Sequence, residues 1–74
     1  MHMKLSDGLE GHTYQVVELL GSDETNRFFS NLGLVKGEDV TIISKLSGNF
    51  VVNIKDGRYG MASTLAERIR VKPL

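Results

Sequence analysis

The sequence predicts a mainly β domain with one short helix, folded as a small, partly open barrel of about five strands. Three observations carry this. Runs rich in β-branched residues, "YQVVELL", "DVTIISKL" and "NFVVNIK", recur between glycine-containing turns. A single stretch, "SDETNRFFSNLG", has helical rather than alternating periodicity. A chain of 74 residues buries only roughly 60% of its unfolded surface, so residues 1–74 have material for one core. Short turns then favour a barrel over two full sheets.

The elements follow in order. Residues 14 to 20 read as a first strand that begins after Gly11 and stops at Gly21. Ser22 can cap a helix over about 23 to 32, with Asp23 and Glu24 at the positive end of its dipole and Gly33 as a left-handed stop. At about 100° per residue, Phe28, Leu32, Thr25 and Phe29 share one apolar stripe. If Gly33 is C′, Leu34 at C″ meets Phe29 at C3, the contact of a Schellman cap. Three strands follow as a meander, turning at Ser47-Gly48-Asn49 and at Asp56-Gly57, a type I′ hairpin signal. Alternation points Val40, Ile42, Phe50, Val52 and Ile54 inward and Thr41, Lys45, Asn53 and Lys55 outward. Thr64 and Glu67 have capping-box spacing, which predicts a helical turn over 65 to 68. "IRVKP" is the last strand, stopped by Pro73.

Composition narrows the function. Hydrophobic residues are 41% and charged residues 24%, the balance of a folded globular domain rather than a disordered one. Nine basic residues match nine acidic ones, so the chain lacks the basic excess of a dedicated nucleic-acid binder. There is no cysteine, which removes disulfides, thiolate metal sites and thiol nucleophiles and fits a reducing compartment. No apolar run approaches the roughly 18 residues of a membrane span, and no signal-peptide pattern opens the chain. A cytoplasmic location is expected. Met1-His2 reads either as a cloning remnant ahead of a native start at Met3 or as native sequence.

The search for chemistry yields little. His12 lacks a third group at a recognisable spacing to form a triad and reads as a solvated loop imidazole. Asp7 with Glu10, and Asp23 with Glu24, lack the alternating oxygen ligands of a calcium loop. None of the eight glycines forms a phosphate-cradling motif. Arg68, Arg70 and Lys72, with Lys36, Lys45, Lys55 and Arg58, read as a solvated strand face ahead of the alternative, a basic face for acidic protein or RNA. Only Tyr14 and Tyr59 are expected to be free for base stacking. No catalytic residue, resident cofactor or metal ligand emerges.

The order strand, "RFFSNLGLVKG", "DVTII", hairpin, "GRYGMASTLAERIRV", with an opening "LSDGLEG", resembles the FeoA family over nearly the whole chain. Gly8 stands where that family usually has a leucine, Phe28 where a basic residue is common, and Lys36 where proline is frequent. The resemblance implies an SH3-like barrel without enzymatic activity. It also implies an accessory role in bacterial ferrous iron transport: binding the cytoplasmic portion of FeoB, the membrane GTPase transporter, and modulating it. The membrane would then be reached through FeoB alone. Phe28, Leu34, Val35 and Lys36, on the helix and the "LGLVKG" turn, are the expected partner-binding residues. Exposed strand edges make a homo-oligomer an additional expectation. Weak binding of ferrous or another transition metal is the most that the scarce histidines would support.

Two alternatives stand beside this. "VKGEDVTII" also fits small RNA- or ribosome-associated barrels, against which zero net charge argues. The barrel is further similar to the C-terminal domain of DtxR-type metal-dependent repressors, which suggests a free-standing metal-sensing module.

Overall fold

Residues 1–74 are described by a computed structural model. The strand-forming runs pair as six antiparallel strands: β1 (Met3–Lys4), β2 (Thr13–Leu19), β3 (Asp39–Leu46), β4 (Asn49–Ile54), β5 (Gly57–Ala62) and β6 (Ile69–Pro73). A 3-10 turn covers Leu5–Asp7, and two helices, α1 (Asp23–Asn31) and α2 (Ser63–Ala66), complete the chain. The sheet order is β1-β6-β2-β3-β4-β5, an SH3-like barrel left open between β1 and β5. The 3-10 turn and α2 touch each other across that opening. No helix is long and apolar enough to cross a membrane.

The sixth strand is the first correction. Met3 and Lys4 pair with Val71 and Arg70, a bridge too short for residue alternation to reveal. Bulges at Val17 in β2 and Ile43 in β3 bend the sheet toward closure. The second bulge also reverses the alternation beyond it. Lys45 is exposed as expected, but it lies opposite Phe50 with its Nζ 5.5 Å from the ring centre, on the other face from the one regular alternation gives it.

Inside the barrel Val16, Val40, Ile42, Phe50, Val52, Ile54, Ile69 and Val71 pack with Leu5, Tyr14, Phe29, Leu34, Met61 and Ala66, and no polar side chain is buried. The inward rows of β3 and β4 are the expected ones. Tyr14, expected to be free for stacking, is in this core, and its hydroxyl accepts the Leu9 amide at 2.8 Å. A small barrel must fill its centre with large side chains, which leaves no aromatic of β2 for the surface.

The turns explain the remaining differences. The β4–β5 loop is Lys55-Asp56, one residue earlier than the Asp-Gly signal, since Ile54 pairs with Gly57. Within this loop positive φ occurs at Lys55 and not at Asp56, whereas a type I′ turn needs it at both. At α2 the capping box does not form. Its N-cap is Ala62, without a side-chain hydrogen bond, so the helical turn covers 63–66 and Thr64 lies within it.

Candidate functional site

Helix α1 places the residues that sequence reasoning singled out. Ser22 caps it, its Oγ accepting the Thr25 amide at 3.1 Å. The C-terminal end closes as a Schellman motif: the Leu34 amide donates to Phe29 O at 2.9 Å, the Gly33 amide donates to Ser30 O at 3.0 Å, and Gly33 has φ +94°. This closure turns the chain back over the helix and drives Leu34 into the core beside Phe29. Both are fully buried. Leu34 is consequently a packing residue and offers no side chain to a partner.

Phe28 has the opposite fate. It is 46% exposed, although its ring stays 6.0 Å from that of Phe29, tilted by 51°. The stripe predicted to hold Phe28, Leu32, Thr25 and Phe29 is buried around Phe29, with Thr25, Asn26 and Leu32 half-buried, and Phe28 falls on its rim. Asn26 draws burial to the other side of Phe29. Its Oδ1 accepts the Gly21 amide at 2.9 Å and its Nδ2 donates to Leu19 O at 3.4 Å, clamping α1 to the end of β2. A polar residue in mid-helix gave no hint of this role; the side-chain-free Gly21 five positions earlier was the available signal.

Val35 is 41% exposed and Lys36 is exposed, but they do not join Phe28. They line an open groove of about 530 Å³ with Val17, Glu18, Leu19 and Ser30. Phe28 lines a separate hollow of about 310 Å³ with Glu24, Thr25 and Leu65. Phe28 and Ser30 are two residues apart and so point about 160° away from each other around a helix. The four expected residues thus divide into one core residue, one flank carrying Phe28 and one carrying Val35 and Lys36.

The opening loop forms the other end of the barrel. Lys45 Nζ donates to Gly8 O at 2.9 Å and the Lys45 amide donates to Glu10 Oε2 at 2.8 Å, a docking made by the β3 bulge. His12 is exposed. No three His, Cys, Asp or Glu side chains come together where they could hold a metal ion.

Comparison with known proteins reaches the whole domain. The FeoA domain family model matches residues 3–73. No curated protein sequence matches the chain. Among solved structures, an iron uptake regulatory protein, FeoA, aligns with TM-score 0.91 and 24% identity over 100% of this chain and 99% of its own. The FeoA protein of Chlorobium tepidum aligns with TM-score 0.90 and 27% identity, covering 97% of this chain and 70% of its own. A manganese-dependent transcriptional repressor shares the fold with TM-score 0.87 and 22% identity over 99% of this chain, which spans 42% of the repressor.

Proposed function

The chain belongs to the FeoA domain family, and from that membership we propose that it is a non-catalytic, cytoplasmic accessory of ferrous iron transport that binds and modulates the cytoplasmic portion of FeoB. Exposed Phe28 carries the docking part of this reading. A phenylalanine held half out of the fold by a buried aromatic neighbour presents a rigid apolar anchor, the residue type that concentrates binding energy when a partner encloses it. The basic position implied by the resemblance would present charge at the same point.

The chain does its work without a metal of its own, and ferrous iron is the cargo of its partner. Titrating the purified cytoplasmic domain of FeoB from the same organism against the wild-type chain and Phe28→Ala, with and without guanine nucleotide, tests the reading. Wild type binds, and the variant stays folded with at least tenfold weaker affinity. Absence of wild-type binding in every nucleotide state refutes the FeoB reading, and ferrous iron bound at one equivalent per chain refutes the metal-free one.

A further inference from the structure

The hollow beneath Phe28 does not end at Leu65. It shares its Thr25 and Leu65 walls with a polar hollow of about 450 Å³ that continues past Gly21, Ser22 and Thr64 to Arg68. Together they form one trough between α1 and α2. We propose that this trough seats an extended segment of the protein partner, one that carries a large apolar side chain and, about three residues away, a carboxylate. The proposal rests on the reading that the chain docks on a protein.

Each end of the trough selects one of those groups. At the apolar end the Phe28 ring is braced by buried Phe29 and faces half-buried Leu65 across the hollow, so an apolar side chain meets preorganised walls. At the polar end the backbone of Arg68 is fixed twice: its amide donates to Leu65 O at 3.0 Å and its carbonyl accepts the Leu20 amide at 2.7 Å. The exposed Arg68 side chain makes no ion pair, since the single one in the molecule joins Lys55 to Glu38. Its guanidinium fork is therefore available to a carboxylate.

Charge sets the direction of binding. Glu24 lines the Phe28 end and not the Arg68 end. A carboxylate is repelled from the first end and drawn to the second. The span from Ser22 to Phe28 is six helical positions, about 9 Å, which an extended chain covers in about three residues.

The test is an amide-shift NMR titration of the intact chain with a blocked tetrapeptide, Glu-Thr-Ser-Leu, and with its Lys-for-Glu counterpart. The acidic peptide shifts the amides of Gly21, Thr25, Leu65 and Arg68. Arg68→Glu and Phe28→Ala each raise its Kd at least fivefold, and Lys36→Ala, on the opposite flank, does not. No localised shift at millimolar peptide, or equal binding of the basic peptide, overturns the proposal. In parallel, FeoB domain binding that is indifferent to both Arg68→Glu and Phe28→Ala overturns the trough as the docking seat while leaving FeoB as partner. Peptide binding without any FeoB binding refutes the FeoB reading and leaves the trough standing.

Discussion

A β-carbon built on Gly8 would lie 2.6 Å from Ile42 Cδ1 and 2.9 Å from Tyr14 Cε2, closer than atoms pack. The resemblance puts a leucine at this point. Here the buried residue is the glycine, while Leu9 beside it is 59% exposed, so the opening loop turns its leucine outward. Gly8→Ala should cost about 1–3 kcal/mol by overpacking, read as a fall in melting temperature of about 4–8 °C per kcal/mol for a domain of this size. The paired phenylalanines separate packing from binding in the same way. Phe29→Ala should lose about 3–5 kcal/mol, a large part of the total that a chain of this length commands. Phe28→Ala should lose no more than about 1 kcal/mol. Urea denaturation of both variants checks the contrast, and equal losses would show that Phe28 is a core residue in solution. The sequence placed both rings on one stripe, and the structure buries Phe29 in it while leaving Phe28 at its rim. Which edge of the stripe faced water depended on Asn26 and its distant partner Leu19 O, a contact that no periodicity encodes.

Among the elements, α1 was the most legible because its signals are local. Ser22 precedes two acidic residues, and Gly33 follows the helix with the positive φ of a left-handed cap. The two cap candidates make a direct test. Ser22→Ala should cost about 1 kcal/mol, as N-caps do, whereas Thr64→Ala should stay within about 0.5 kcal/mol, because Thr64 caps nothing. A comparable loss at Thr64 in guanidinium denaturation would mean that the box forms after all. The motif was present in sequence, but the chain leaving β5 enters α2 at once: the Ser63 amide donates to Gly48 O at 3.1 Å, and the helix starts two residues too early for Thr64 to cap it. The hairpin after β4 shifted for a similar reason. Register with β4 is set by Phe50, Val52 and Ile54 facing the core against Met61, Tyr59 and Gly57, and this outweighs the local preference of Asp56-Gly57 for the turn centre.

At the scale of the molecule, stability comes from an apolar core with no buried polar side chain and one exposed ion pair at 3.9 Å. With nine charges of each sign, self-repulsion is small. Raising NaCl from about 0.05 to about 0.5 M, across a severalfold change in screening length, should alter the unfolding free energy by less than about 1 kcal/mol. A larger loss would reveal a charge network that these contacts do not show. The open seam between β1 and β5, filled by α2 and the 3-10 turn, brings α2 toward α1 and so creates the trough. Its parts come from positions as far apart as Gly21 and Arg68. The sequence by itself determined the element types, the inward rows of β3 and β4, the caps of α1 and the family, because each rests on periodicity, on local backbone chemistry or on an ordered set of motifs. Tertiary structure alone decided the sixth strand, the reversal at Lys45, the burial of Tyr14 and the separation of Phe28 from Val35. Those outcomes depend on which distant residues compete for the same volume, and a linear pattern carries no record of that competition.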